Sequence, residues 1–120
     1  MAEVLEIQDK QDYIYASFIG LFELEASKRM IDQITQACSM YDRSAVLLDC
    51  RSMTGSLPYL DRYQVAVYGQ RMIGKVLRLA LVRRQEAGPP DLFTEMVARN
   101  RGINLKIFAD FEEALVWLKA

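Results

Sequence analysis

Residues 45–48 read Ala-Val-Leu-Leu, an unbroken apolar run inside the segment 43–49. Successive side chains of a strand point to opposite faces, so a strand written this way needs apolar cover on both sides of its sheet. That requirement calls for helices packed against the sheet, and the flanking sequence supplies them.

Residues 25–41 place Met30, Ile31, Ile34, Ala37, Cys38 and Tyr41 at helical spacing with polar residues between, which predicts a helix with one face on the sheet. Upstream, 4–8 alternates apolar and polar residues, and 13–19 is aromatic and β-branched, so both read as strands. The polar link Asp9-Lys10-Gln11-Asp12 is short enough to join them as an antiparallel hairpin, which Gly20 then releases. Downstream, Gly55 and Pro58 punctuate a loop, Ser56 is placed to cap a helix over 57–73, and Gly74 is placed to end it. A strand over 76–82, a helix capped by Asp91 and running to Arg99, a strand over 103–109 and a helix over 111–119 capped by Asp110 complete the chain. The order β-β-α-β-α-β-α-β-α predicts an α/β fold. It is expected to form a single domain over 1–120, with a mixed, mainly parallel five-stranded sheet, right-handed crossovers and an N-terminal antiparallel edge hairpin.

Several functions are disfavoured by what is absent. The net charge of −1 gives no bulk attraction for DNA or RNA, so nucleic acid is not an expected partner. The charge is unevenly spread: between Arg43 and Lys106 eleven basic residues stand against five acidic ones, and the two ends carry four against eleven. This asymmetry suits either solvated faces of opposite sign or a shallow basic face for an anion or an acidic partner. There is no histidine, which removes the commonest general base and metal ligand along with Ser-His-Asp and Cys-His arrangements. Phosphate cradles of the GxGxxG and GxxxxGK types are missing too. Cys38 and Cys50 stand in no metal-ligand spacing, so buried thiols in a reducing compartment are expected, with neither metal nor cofactor. The first residues show no basic segment leading into a long apolar one, and no apolar run approaches bilayer length, which makes cytoplasmic residence the expectation.

Asp49 and Arg51 follow the buried strand, and Arg83 and Arg84 follow the next, at the end of an α/β sheet that usually holds ligands. They suit a charged rim for an anion or partner, with backbone N–H groups near Ser56 in support. The alternative is a solvated loop in which Asp49 is paired with an arginine or with backbone amides. Cys50 is accordingly either a thiol activated by arginines or a buried, inert one. The helix over 57–73 carries more apolar surface than one sheet-facing stripe needs. Leu57, Leu60, Tyr63 and Val67 form a stripe, while Tyr59, Ala66, Tyr68 and Met72 lie on other sides. The excess suits ordinary helix neighbours, a small apolar ligand beside Leu57, Tyr59, Leu60, Tyr63 and Val67, a homodimer contact, or a peripheral membrane surface. In the last helix Phe111, Ala114, Leu115 and Leu118 share a face and Trp117 lies partly off it.

Three segments together resemble the SpoIIAA-like family of the STAS superfamily. They are Val-Leu-Leu-Asp-Cys-Arg at 46–51, Phe-Thr-Glu-Met-Val-Ala-Arg-Asn-Arg-Gly at 93–102, and Ile-Phe-Ala-Asp-Phe-Glu-Glu-Ala-Leu-Val-Trp-Leu at 107–118. The resemblance runs over nearly the whole chain in the right order. It implies a small α/β domain, related also to the CRAL-TRIO lipid-binding proteins, that works in regulation by binding a protein, an apolar ligand or a membrane surface. In the anti-sigma antagonists of the superfamily a serine at the start of the helix after the third strand is phosphorylated. Ser56 holds a similar place here, but the Asp-Ser-Ser-Gly signature is replaced by Ser-Met-Thr-Gly-Ser-Leu-Pro at 52–58.

The leading expectation is therefore a non-catalytic binding or regulatory module with an apolar ligand or membrane site beside helix 57–73. A phospho-switched protein-interaction domain hinged on Ser56 is the alternative. An enzyme built on Asp49, Arg51 and Cys50 is the third possibility, and the sequence suggests no substrate for it.

Overall fold

The computed structural model describes residues 4–55, 57–84 and 92–120. Its strands are β1 (Val4–Asp9), β2 (Ile14–Leu21), β3 (Ala45–Thr54), β4 (Arg78–Val82) and β5 (Leu105–Phe108). Its α-helices are α1 (Leu24–Tyr41), α2 (Tyr59–Gly69), α3 (Leu92–Asn100) and α4 (Phe111–Lys119), with a 3-10 turn at Gln70–Met72. The strands lie in the order β1-β2-β3-β4-β5, with β1 antiparallel to β2 and every other pair parallel. The expected mixed sheet with an antiparallel edge hairpin is thus the sheet observed.

The apolar run of β3 sits at the centre and is covered on both faces. Val46 and Leu48 join Ile14, Ala16 and Phe18 of β2 beneath Met30, Ile31, Ile34 and Cys38 of α1. Leu47 points the other way and joins Ala80, Val82 and Phe108 under Ala114 and Leu118 of α4. The crossover helices α1, α2 and α3 share the first face and α4 alone covers the second. Full burial of each valine, leucine, isoleucine, phenylalanine or methionine among them contributes roughly 1.5–3 kcal/mol.

The element boundaries depart from expectation in ways that bear on the site. Gly20 does not release the chain. After a register irregularity between Ser17 and Ile19, β2 continues through Gly20 (φ 127°) to Leu21 and pairs with Ser52, Met53 and Thr54. A side chain at that backbone angle is strained, so glycine lets the strand run on. β3 consequently extends past Asp49 to Thr54, and among the described residues its partner beyond Asp49 is β2 alone. β4 and β5 are shorter than expected because their entries are turns. The N–H groups of Lys75 and Val76 donate to the Met72 carbonyl, and that of Ile103 to the Ala98 carbonyl.

The largest correction concerns α2. It begins at Tyr59 with Pro58 at the cap position and no side-chain cap, and its α-helical part ends at Gly69 rather than continuing to Ile73. Ser56 and Asp91, expected as caps, lie outside the described residues. Nor do Leu60, Tyr63 and Val67 face the core, where Ala66, Gly69 and Met72 are buried instead. Small residues let α2 lie close to its neighbours: a methyl group at Gly69 would come within 3.1 Å of Ile103 Cδ1.

α4 starts where expected, because the Asp110 carboxylate accepts the N–H groups of Glu112 at 2.8 Å and Glu113 at 3.2 Å. These are donors that the first turn of a helix otherwise leaves unpaired. Replacing this cap (Asp110→Ala) is expected to cost about 1 kcal/mol, read as a lower urea midpoint with an unchanged denaturant slope.

Candidate functional site

The carboxyl ends of the parallel strands carry two groups of side chains, separated by the sheet. On the α4 face Asp49 is only 6% exposed and is saturated with donors. Its Oδ2 accepts the Tyr15 hydroxyl at 2.7 Å and Arg51 Nη2 at 2.8 Å, and its Oδ1 accepts the backbone N–H of Arg51 at 3.1 Å and Arg51 Nε at 2.9 Å. The guanidinium lies over the Phe111 ring at 5.0 Å from its centroid. Burial on its own would raise the Asp49 pKa, but the hydrogen bonds from Arg51 and Tyr15 outweigh it and hold the carboxyl below its usual range. The Tyr15 phenol is pushed up, by burial first and then by its bond to the carboxylate. A carboxylate engaged in this way is poorly placed to take up a substrate proton.

Arg83 and Arg84 do not join that cluster. With Arg62 of α2 they line a cavity of about 300 Å³ on the opposite face, between the strand ends and the helices. Its walls are mainly apolar, formed by Phe22, Met30, Leu48, Met53, Val65 and Leu81 together with Leu57, which is buried ahead of α2. Arg83 is fixed at the end of β4 by its N–H, which donates to the Phe108 carbonyl at 2.9 Å. Cys50 also borders this space, but burial first and the Asp49 carboxylate second push its thiol up to about 12, so it is not an activated nucleophile. Cys38 is also a buried free thiol, raised by burial.

Of the apolar residues singled out in 57–73, only Leu57 borders the cavity. Tyr59, Leu60, Tyr63 and Val67 project outward, with 66%, 68%, 43% and 40% of their surface exposed. They fall one, three or four residues apart and so make a single outer stripe. Arginines stack on its tyrosines: Arg62 lies over Tyr59 at 5.2 Å and Arg101 over Tyr63 at 4.7 Å, where it also donates to the Tyr63 hydroxyl. Phe93 of α3 packs edge-on against Tyr59 at 4.8 Å. Among the described residues no cluster of three His, Cys, Asp or Glu side chains could hold a metal, and no helix is long and apolar enough to cross a membrane.

Sequence reasoning missed Tyr15, Phe111, Arg62, Arg101 and Phe93. Strand alternation puts Tyr15 on one face, but only the β2–β3 register, which pairs Ser17 with Asp49, brings its hydroxyl within reach of Asp49. Phe93 and Arg101 depend on how α2 and α3 pack and Phe111 on how α4 meets β3, for which local sequence carries no signal, whereas Arg62 stands three residues after Tyr59 in the same helix, a spacing that the sequence does show.

Asp49 generates a pH prediction. Its folded pKa lies below the ordinary value of 3.8, so the stability it contributes is fully present above that value and is lost as pH falls through the lower folded value. Asp49→Asn is expected to cost about 1–3 kcal/mol at pH 7. The gap between the two proteins should close below the ordinary carboxylate range in urea titrations across that window.

No protein-family model matches the chain, and no curated protein matches it. Solved structures do. An anti-sigma factor antagonist from Mycobacterium paratuberculosis superposes with a TM-score of 0.64 at 14% identity, over 99% of this chain and 96% of the other. An uncharacterized protein with a SpoIIAA-like fold from Shewanella loihica superposes with a TM-score of 0.54 at 21% identity, over 97% and 93%. At these identities the likeness is one of architecture, and the fold of this chain is SpoIIAA-like.

Proposed function

We propose that this chain is a non-catalytic regulatory domain that acts by binding another protein, and that the partner docks on the outer stripe of α2. The observation that carries the proposal is the stripe itself, in which Tyr59, Leu60, Tyr63 and Val67 stand in solvent on a helix whose inner side is already packed. Tyrosine and arginine are the residues over-represented among binding hot spots. Here they are already stacked in pairs, which lowers the entropy lost on docking. The fold shared with an anti-sigma factor antagonist supports a protein partner. The absence of histidine, the raised Cys50 thiol and the fully engaged Asp49 support a non-catalytic role.

The test uses a photo-crosslinking residue in place of Leu60, with one in place of the distant, exposed Met40 as control, expressed in the native host. The expected outcome is a heterologous adduct from position 60 and none from 40. Leu60→Asp should abolish copurification of that protein while shifting stability by no more than about 0.5 kcal/mol. Adducts only with a second copy would make the stripe a homodimer contact. Flotation with anionic vesicles in the absence of any protein adduct would make it a membrane surface. Either result overturns the reading.

The cavity behind α2 favours a second reading, in which an apolar small molecule is bound between the sheet and the helix. Its volume lies at the small end of ligand pockets, and its walls are of the kind that such pockets have.

A further inference from the structure

The charges beside the outer stripe narrow the chemistry of its partner, and the inference rests on the reading of that stripe as a docking surface. The two sides of α2 differ. On the α1 side Tyr68 donates to Asp32 Oδ2 at 2.6 Å, Arg71 lies over the Tyr68 ring at 4.2 Å, and Arg71 stands 4.0 Å from Asp32. Positive and negative groups meet there. Asp61 belongs to the same side, because it precedes Tyr68 by almost two whole helical turns. On the α3 side the apolar surface continues through Phe93 to the exposed Met96. Arg99 and Arg101 follow, and among the described residues neither meets a carboxylate. Arg99 is exposed three residues after Met96, and Arg101 stacks on Tyr63 and donates to its hydroxyl. Glu95, the one acidic residue of α3, turns inward and accepts the Ile107 N–H at 3.0 Å. Arg62 does not add to this imbalance, since it is already engaged, with its Nε on the Leu57 carbonyl at 2.9 Å.

We propose that the partner protein presents an acidic amphipathic segment. Its apolar side chains lie along Leu60, Tyr63 and Met96, and its Asp or Glu side chains meet Arg99 and Arg101 on the α3 side. A guanidinium stacked on a ring keeps N–H groups along its edge, and its planar fork matches the two oxygens of a carboxylate. Stacking on Tyr63 also holds Arg101 in place before docking, so less side-chain freedom is lost. A neutral apolar partner would cover Arg101 beside Tyr63 without a counter-charge, and a basic one would be repelled. Two arginines on a chain of net charge −1 fall well short of what a nucleic acid backbone requires.

The probe is the whole chain carrying the photo-crosslinking residue at position 60, or at position 96, in the native host. Both positions are expected to capture the same protein, and mass spectrometry of the adducts should place the attachment in a segment where Asp or Glu flanks apolar residues. Arg99→Glu with Arg101→Glu is expected to lower the adduct yield from position 60 about tenfold, whereas Arg101→Lys should largely preserve it. Raising the salt during crosslinking in lysate should lower the yield of the unsubstituted chain and leave that of the double variant little changed. If Arg101→Glu prevents folding, Arg99→Glu alone carries the comparison, because Arg99 is exposed. A heterologous adduct that is indifferent to charge reversal and to salt, or whose attachment segment lacks Asp and Glu, would overturn the acidic partner and leave the docking surface standing. Absence of any heterologous adduct would overturn both. Crosslinks to nucleic acid, or capture by phosphatidylglycerol vesicles without a protein adduct, would likewise overturn both.

Discussion

The structure depends on covering the central strand from both sides. Val46 and Leu48 face α1, and Leu47 faces α4, so removing either layer would leave one face of an unbroken apolar run in water. The strand order makes the two layers unequal. In a sheet that runs β1 to β5 without doubling back, right-handed crossovers place α1, α2 and α3 on the same face. The other face is left to α4, which makes no crossover and has only nine residues to do the work. That explains the care with which α4 is fixed, by the Asp110 cap at one end and by Arg78, which donates to the Trp117 carbonyl at 2.7 Å, near the other. At the first turn of α4 the same face turns polar at Asp49 and is closed by a hydrogen-bonded carboxylate beside Phe111 instead of another apolar residue.

α2 solves a different problem. It lies between α1 and α3, and its buried positions Ala66 and Gly69 give up side-chain volume for close approach. A helix seated on small residues has its large ones left over for the outside, and in α2 these are two tyrosines, a leucine and a valine. The exposed stripe thus follows from how the helix is packed. Its retention in solvent calls for a functional account because a contiguous apolar patch promotes unwanted association unless something covers it.

The architecture was legible in the sequence because each of its signals is local and redundant. The apolar run at 45–48, the helical spacing from Met30 to Cys38 and the Asp110 cap each specify one element, and together they specify the order. The orientation of α2 was not legible. Hydrophobic periodicity assigns large apolar residues to the core, and Leu60, Tyr63 and Val67 obey the period while facing the wrong way. Ala66 and Gly69 carry too little weight in any such pattern to compete. The proposed charged rim failed to assemble for a related reason. Asp49 and Val82 are paired neighbours, but β4 ends there while β3 runs on beside β2 to Thr54, and Arg51 folds back to Asp49 on the α4 face while Arg83 lines the cavity on the other. Reading positions at the carboxyl end of a sheet found the right edge and could not decide the face.

The two faces of α2 meet in one side chain. Arg62 borders the cavity, holds the Leu57 carbonyl through its Nε, and stacks on Tyr59 in the outer stripe. A cavity occupant that drew this guanidinium inward would weaken its contact with the Tyr59 ring, and a partner that pinned the ring would hold the guanidinium back. An exposed stacking contact of this kind contributes about 0.5–1 kcal/mol. Coupling through it would alter either affinity by roughly two- to fivefold, and by thermodynamic reciprocity the factor is the same in both directions. Such a link can tune occupancy but cannot switch it. A larger effect would require α2 as a whole to move, and the close seam at Gly69, where even an added methyl group would meet Ile103 Cδ1 at 3.1 Å, opposes that.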